Sequence, residues 1–512
     1  MWRGHAGGRK IQCLLPRPFQ PGVAALASPC ARITKIEVVR VLLVSTYDLG
    51  RQPFGLASPA AWLRNAGIEV DCADTSREKL TDQRIASAGL VAFYLPMHTA
   101  TRLASPLIDR VRRLNPTATV AAYGLYALLN AAWLRDHGVE HVLGPEGELE
   151  LTTLARGASL DASPTREPQT LAPQQLDKRL HIVPHRANLP GLAQYARLQM
   201  PDGSTRVVGS TDATRGCKHL CRHCPIVPVY NGRFHAIPVD DVLADIRQQV
   251  ADGAQHVSFG DPDFLNGPTH AHRIVERLAV EFPGVTYDAT IKIEHLLKHA
   301  SLLPVLARTG CLFITSAVES IDDRVLEYLA KGHTRGDFLA AVHLCREAGI
   351  TLAPTFVAFT PWTTLEGYDE LLQTLDELEL VEQVAPIQLA IRLLITNNSP
   401  LLELPGVQSV IGEFDPGSLT WPWRHPDSRV DALQQQVMRR VGNNPNVPRA
   451  EMFDAIRDFF EGTESGGATT HVRRSRRESR PHLTLSPQRA VPILSENWYC
   501  CAEPSVEDMR LV

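Results

Sequence analysis

Short apolar runs alternate with amphipathic segments through the first third of the chain. The run 37–45 is largely apolar and rich in β-branched residues, which is typical of a buried parallel strand. A helix is expected to begin after Ser58, which precedes Pro59, and to end at Gly67. Alternating strands and helices predict an α/β fold with a doubly wound parallel sheet over residues 37–160. The further strands are predicted at 68–72, 90–94, 119–123 and 141–143.

A second series of strand–helix repeats covers residues 205–410. The predicted strands lie at 256–259, 286–289, 312–315, 351–357 and 387–394. The predicted helices lie at 268–282, 296–309 and from 318 to about 331. Repeated βα units predict a partial barrel of TIM type with about six units, a (β/α)6 arrangement. Catalytic groups are then expected at the carboxyl ends of its strands.

Polar and Pro-rich regions separate these units. Residues 1–36 contain no Asp or Glu and are expected to be a disordered or over-extended leader, with a transit peptide as the alternative. The Arg-rich part of 463–487 is expected to be a solvated linker rather than a nucleic-acid contact. The remaining divisions are a connector at 161–204, a helical extension at 411–462 and a tail at 488–512.

The length and composition of the chain argue against several classes of protein. A chain of 512 residues is long enough for two or three domains. Its net charge of −4 gives no general indication of nucleic acid, and no apolar run approaches the length of a membrane span. Ten cysteines in this length do not indicate a disulfide framework, and thiols that must stay reduced favour the cytoplasm.

Three cysteines, Cys217, Cys221 and Cys224, have the spacing Cys-x3-Cys-x2-Cys. Three thiolates this close can hold three corners of a four-iron cluster and leave the fourth iron without a protein ligand. The alternative is a structural zinc site with His219 or His223 as fourth ligand. A zinc site usually pairs two short knuckles, and no separate Cys-x2-Cys pair occurs elsewhere, which favours the cluster.

This spacing closely resembles that of the radical S-adenosylmethionine (SAM) superfamily. The resemblance implies a [4Fe-4S] cluster whose open iron is chelated by SAM and which cleaves SAM to a 5′-deoxyadenosyl radical. On the residues alone, Asp261 can instead cap a turn, and Glu319 can be a helix N-terminal acid. His223 stands where the family often has a carbocyclic aromatic residue. The SAM contacts implied by the resemblance are His223, Gly260, Asp261, Glu319, Ser320 and Arg392.

The first unit resembles the cobalamin-binding domain that precedes many radical SAM cores. Families that bind cobalamin through a protein ligand carry Asp-x-His-x-x-Gly after the first strand. The corresponding loop here, residues 47–55, has no His. Two interpretations stay open: cobalamin binds without that ligand, or the domain is a scaffold only.

The chain also carries the segment Cys500-Cys501-Ala502-Glu503-Pro504. It resembles the CUAEP/CCAEP-tail radical SAM proteins, some of which have selenocysteine at the position of Cys501. The resemblance implies a redox or nucleophilic role, so we expect the tail to fold over the barrel mouth and present Cys500 and Cys501 as catalytic groups. The alternatives are an incidental pair and a vicinal disulfide.

Together these features predict a cytoplasmic radical SAM enzyme that modifies an unknown small molecule, assisted by the Cys-Cys pair. The predicted cofactors are the [4Fe-4S] cluster, SAM and, under one interpretation, cobalamin. The predicted partners are the substrate and an electron donor such as flavodoxin or ferredoxin, with no nucleic acid and no membrane. The alternatives are a cobalamin-dependent methylase and a non-catalytic iron–sulfur redox sensor.

Overall fold

The structure is a computed structural model that describes residues 39–157, 181–442, 447–464 and 493–494. The predicted leader, most of the predicted linker and the Cys500–Cys501 pair lie outside these residues. Within the described ranges, no helix is both long enough and apolar enough to cross a bilayer.

The first unit is a five-stranded parallel sheet with the strand order β2-β1-β3-β4-β5. Its strands are β1 Val41–Ser45, β2 Val70–Asp74, β3 Leu90–Tyr94, β4 Thr119–Tyr123 and β5 His141–Val142. Its helices are α1 Phe54–Asn65, α2 Asp82–Ala86, α3 His98–Leu114, α4 Leu125–Leu129, α5 Ala131–Asp136 and α6 Glu148–Ala155. Two apolar clusters bury its strand residues, and the strand order is that of a doubly wound sheet. The predicted fold of this unit is confirmed.

Helix α1 begins at Phe54, one turn before the predicted start, so Ser58 and Pro59 lie inside it. A proline has no N–H to donate to the carbonyl four residues earlier. That carbonyl, of Gly55, instead accepts a hydrogen bond from the Tyr123 hydroxyl at 2.7 Å. The predicted helix start at Ser58 was therefore wrong, because a tertiary contact replaces the bond that Pro59 removes.

The second unit is a seven-stranded sheet with the order β13-β12-β11-β10-β7-β6-β14, plus a separate β8–β9 hairpin. The partial barrel is formed by five neighbouring parallel strands, β7, β10, β11, β12 and β13. At its other edge β6 is antiparallel to β7, and β14 is antiparallel to β6. The strands are β6 Arg197–Gln199, β7 Thr205–Thr211, β8 Thr214–Gly216, β9 Phe234–Ala236, β10 His256–Phe259, β11 Thr286–Thr290, β12 Cys311–Glu319, β13 Thr351–Phe356 and β14 Ile493–Leu494.

Helices cover the barrel strands and extend the domain beyond them. They are α7 Val227–Tyr230, α8 Val239–Ala251, α9 Pro268–Glu281, α10 Ile293–Lys298, α11 Leu303–Arg308, α12 Asp323–Tyr328, α13 Arg335–Glu347, α14 Leu365–Glu377, α15 Pro405–Gln408, α16 Ser428–Gly442 and α17 Arg449–Glu464. Short 3-10 helices lie at Leu192–Gln194, Phe264–Asn266, Ala300–Leu302, Val381–Gln383, Pro386–Leu389 and Pro400–Glu403.

The sixth predicted barrel strand, 387–394, is not formed. Pro386–Leu389 is a 3-10 helix, and among the described residues the remainder pairs through one parallel bridge, between Arg392 and Phe359. Most of its apolar residues are buried in the core all the same. The sixth unit of the barrel is therefore reduced to a single bridge.

Two predicted helices also differ from the structure. The helix predicted at 296–309 is split into α10 and α11, and Pro304 stands in the first turn of α11, where a missing N–H costs least. The helix predicted from 318 begins only at Asp323, because β12 continues to Glu319.

Arg186 connects the two units. Its guanidinium donates to both Asp245 oxygens on α8 at 2.7 and 2.8 Å, and to Gln52 Oε1 of the first unit at 2.8 Å. A further bond reaches the Ser210 carbonyl of β7 at 2.7 Å. Both charged groups are buried, so this arginine holds the first sheet against the barrel.

Candidate functional site

The three motif cysteines lie on the loop between β8 and α7 as free thiols. Cys217 and Cys221 are buried, and Cys224 is partly buried. Gly216, at the end of β8, has φ +81°, and a Cβ there would lie 2.4 Å from the Arg233 carbonyl oxygen on the way into β9. The hairpin can therefore close on the cysteine loop only with glycine at this position.

Two buried ammonium groups lie beside the thiols. Lys292 Nζ is 3.8 Å from Cys221 Sγ. Burial lowers the pKa of Lys331, but Glu319 and then Cys221 outweigh it and hold that pKa above its ordinary value. Burial raises the pKa of the Cys217 thiol to about 11, so a bound metal would have to displace its proton. Three free thiols on one loop, with buried ammonium groups beside them, fit an anionic iron–sulfur cluster.

Glu319 ends β12 in the left-handed region, at φ +71°. Its Oε1 lies 3.3 Å from Lys331 Nζ and 3.1 Å from His223 Nε2. Burial raises the pKa of Glu319, but Lys331 and His223 outweigh it and lower the pKa to about 2. His223 Nδ1 is buried, and no described atom bonds to it. That nitrogen is therefore a free polar group in this part of the site.

The Asp261 carboxylate is hydrogen-bonded to the segment that leads into the cysteine loop. Its carboxylate accepts from the Ala213 N–H at 2.9 Å and from the Thr214 N–H and hydroxyl at 2.6 Å each. Burial and the neighbouring Asp212 raise its pKa to about 7. A Cβ on Gly260 would lie 2.4 Å from Asp212 Oδ1. Gly260 and Asp261 thus position the start of β8 in this structure.

Two other predicted SAM contacts have protein partners of their own. Ser320 Oγ accepts from the Asp322 N–H at 3.0 Å. Arg392 donates to Asp431 on α16 at 2.6 Å, and its guanidinium lies 3.5 Å from the centre of the Trp423 ring. The structure thus joins His223 to Glu319 in one hydrogen-bonded group, while Ser320 and Arg392 bond elsewhere.

Two residues near the motif were missed in the sequence analysis. Lys292 follows the carboxyl end of β11, which is the usual position for a functional residue in a barrel. Arg215, two residues before Cys217, is bonded to Glu146 at 3.0 Å and Glu148 at 2.8 Å. It links the first unit to the hairpin that carries the motif.

The carboxyl edge of the first sheet, where a corrin would lie, is packed closed. Leu49 and Tyr126 at this edge belong to the same apolar cluster as Tyr230 of α7. The cavity beside Tyr126 holds only about 10 Å³. The buried histidine at this edge, His98, has its Nε2 2.6 Å from the Ser418 carbonyl oxygen. Cobalamin could therefore bind at this edge only if the edge opened.

Residues 212–378 match the family described as the Radical SAM superfamily. The tRNA-2-methylthio-N(6)-dimethylallyladenosine synthase of Hahella chejuensis is 25% identical over 230 residues, which cover 41% of this chain and 50% of that protein. The same enzyme of Fusobacterium nucleatum is 26% identical over 202 residues, covering 37% and 44%. The chain thus spans about half the length of the curated relatives it matches.

Two similar solved structures extend over most of the chain. The cobalamin-dependent S-adenosylmethionine radical enzyme OxsB, with aqua-cobalamin bound, has a TM-score of 0.62 at 14% identity and covers 83% of this chain and 72% of that one. The radical S-adenosylmethionine methyltransferase TsrM from Kitasatospora setae has a TM-score of 0.53 at 20% identity and covers 66% and 71%. At these identities the likeness shows a shared fold.

The family match and the fold agree with the cysteine geometry. The resemblance of residues 500–504 to the CUAEP/CCAEP-tail proteins stays a prediction. The expectation of an enzyme with a [4Fe-4S] cluster and SAM as cofactors is confirmed. The chain carries a radical SAM superfamily domain at residues 212–378.

Proposed function

We propose that this enzyme cleaves SAM reductively at a [4Fe-4S] cluster and uses the radical to modify an organic substrate. Cys217, Cys221 and Cys224 would hold three irons, and the fourth iron would bind SAM. The observation that supports this most directly is the set of three free thiols on one loop, with Lys292 Nζ 3.8 Å from Cys221 Sγ.

The residues beside the thiols have separate proposed roles. His223, with its unpartnered Nδ1, and Glu319 are the proposed SAM contacts that the geometry favours. Gly260 and Asp261 act by holding the start of β8. Ser320 and Arg392 stay predicted SAM contacts, which the resemblance alone supports. A proposed contact should change SAM affinity, whereas a residue that only positions β8 should change iron content.

Anaerobic reconstitution tests the central proposal. We expect about four irons per chain, from a cluster with three thiolate ligands, and 5′-deoxyadenosine when the protein is reduced in the presence of SAM. Cys221→Ala should abolish both. Cys311→Ala is the matched control, because it removes a buried thiol from the barrel core outside the motif. A stoichiometric zinc ion without iron uptake would refute the proposal.

We also propose that Cys500 and Cys501 act on the substrate, as donors of a hydrogen atom or as ligands of a soft element. Cys501→Ser should leave iron content and reductive SAM cleavage intact and stop product formation on the physiological substrate. Cys500→Ser should have a smaller effect. Loss of iron in either variant would make the tail a cluster ligand, and normal turnover in the double variant would make it dispensable.

Cobalamin-dependent methyl transfer is the second candidate, because two structures similar to this chain are described as a cobalamin-dependent radical enzyme and a radical SAM methyltransferase. S-adenosylhomocysteine as the SAM product would favour it over 5′-deoxyadenosine. If cobalamin binds, its cob(II)alamin spectrum should show no splitting from a protein nitrogen, since residues 47–55 contain no His.

The proposed substrate is a small molecule, the electron donor is a flavodoxin or ferredoxin, and the location is the cytoplasm. The curated relatives are named for a modified adenosine of tRNA, so nucleic acid has to be tested directly. A net charge of −4 offers no general attraction for phosphates. We expect no salt-dependent binding of total tRNA in filter assays. Tight binding that weakens steeply with salt would contradict the proposal.

A further inference from the structure

Two histidines and one aspartate meet next to the cysteine loop. His219 lies within the motif, Asp263 follows β10, and His295 is on α10. His219 Nε2 and His295 Nδ1 lie 3.0 and 2.6 Å from the same atom, Asp263 Oδ2. One ligand atom from each of the three residues falls within 4.8 Å of the other two. Three different elements therefore converge on one point.

His295 is fully buried, and in the described part of the chain neither ring nitrogen has a hydrogen bond of acceptable geometry. Its Nδ1 is close to the Asp263 carboxylate but is not directed for a hydrogen bond to it. A buried imidazole without partners costs free energy unless something else satisfies it. A cation between Nδ1 and the Asp263 carboxylate would give that nitrogen a partner.

The groups around the three residues are arranged like those that orient the ligands of a metal ion. Glu294 Oε2 lies 3.6 Å from His219 Nδ1, the nitrogen that points away from Asp263. Metal-binding histidines commonly present their other nitrogen to a carboxylate in this way. The other Asp263 oxygen accepts from the Leu265 N–H at 3.2 Å, which fixes the orientation of the carboxylate.

We propose that His219 Nε2, Asp263 Oδ2 and His295 Nδ1 bind a divalent transition-metal ion that is separate from the iron–sulfur cluster. Imidazole and carboxylate donors suit Zn²⁺, Fe²⁺ or Mn²⁺, whereas the thiolates of the motif suit the cluster. Tetrahedral zinc with bonds of about 2.0–2.2 Å puts its ligand atoms about 3.3 Å apart. The distances from Asp263 Oδ2 to His219 Nε2 and to His295 Nδ1, now 3.0 and 2.6 Å, would have to widen by about 0.3 and 0.7 Å to reach that separation.

The position of the site indicates its purpose. Asp263 and His295 are buried, and His219 is nearly so. The ion would tie the cysteine loop to the turn after β10 and to α10. The ion would thereby fix the position of the loop on which the cluster is built.

Metal analysis of the reconstituted holoenzyme tests this. After incubation with Zn²⁺ and a mild chelator wash, the wild type should hold one zinc in addition to about four irons, the latter from the three-thiolate motif. His295→Gln and Asp263→Asn should lose the zinc and keep most of the iron. His299→Gln is the matched control, because its ring lies 5.5 Å from that of His295 but outside the triad, and it should keep both metals.

A second measurement keeps the proposal testable if the variants do not fold. Mn²⁺ titration of the wild-type holoenzyme, followed by electron paramagnetic resonance, should show one bound ion per chain that Zn²⁺ displaces. Wild-type holoenzyme that retains no zinc and binds no Mn²⁺ would overturn the proposal, as would equal zinc in wild type and in a folded His295→Gln. Iron content is measured separately, so failure here is distinct from failure of the cluster assignment.

Discussion

The buried pair formed by Glu319 and Lys331 gives a prediction with a definite magnitude. The pKa of Glu319 falls from 4.5 to about 2, because Lys331 and His223 outweigh the effect of burial. This difference corresponds to about 3 kcal/mol of stabilisation of the folded state at neutral pH. Glu319→Gln and Lys331→Met should each lose about that much free energy of unfolding, since each leaves one charge buried without its partner.

The double variant separates the pair from its surroundings. Because the carboxylate and the ammonium interact directly, the double variant should lose about 1–3 kcal/mol less than the sum of the two single losses. Urea unfolding of cluster-free protein with reduced thiols measures this at pH 7. Strictly additive losses, or a single variant as stable as the wild type, would refute the reasoning.

The pH dependence of the same variants has a fixed sign. A carboxyl whose folded pKa is depressed stabilises the protein fully above its unfolded pKa, here 4.5, and this contribution disappears as the pH falls toward 2. The deficit of Glu319→Gln should therefore be largest at pH 7 and smaller at pH 3.5. A deficit that grows on acidification would show that the charge of Glu319 is not what stabilises the fold.

Two further predictions concern the elements that hold the site. Gly216→Ala should lower the free energy of unfolding by about 2–5 kcal/mol and reduce iron loading, because it adds both a left-handed alanine and a clash with a backbone carbonyl. Gly253→Ala is the control, at φ +94° with open space around it. It should lose about 1 kcal/mol and leave the iron content unchanged. Equal iron loading in the two variants would contradict this. Arg186→Met should lower the free energy of unfolding by about 3–5 kcal/mol, because it leaves the Asp245 carboxylate buried and uncompensated. Arg247→Met removes an exposed ion pair and should lose less than about 1 kcal/mol in the same unfolding assay. Similar losses in these two would show that the bond between the units contributes little.

The sequence predicted the strands best where apolar runs are buried on both faces. The runs at Leu90–Tyr94, Thr119–Tyr123 and His256–Phe259 match the structure residue for residue. The run 387–394 is also rich in apolar residues and mostly buried, but it forms a 3-10 helix and one bridge. Hydrophobicity reports burial, and it does not decide which neighbour supplies the backbone hydrogen bonds.

The site shows the same division between local and tertiary information. The cysteine motif is local, so its spacing was enough to predict the cluster. Asp261 bonds to Thr214, 47 residues earlier in the chain, and Glu319 bonds to His223, 96 residues earlier. Which of the predicted strand-end residues face the thiols and which face the backbone depends on these long-range contacts. No spacing in the sequence encodes them.

The pairing of β14 with β6 sets a limit on the tail. Ile493 and Leu494 are held at the sheet edge by antiparallel pairing with Gln199 and Leu198. Cys501 lies seven residues after Leu494, and seven residues span at most about 24 Å. The position of β14 therefore limits how far Cys501 can lie from Leu494. A substrate bound outside that distance is beyond the reach of Cys501, whatever its chemistry.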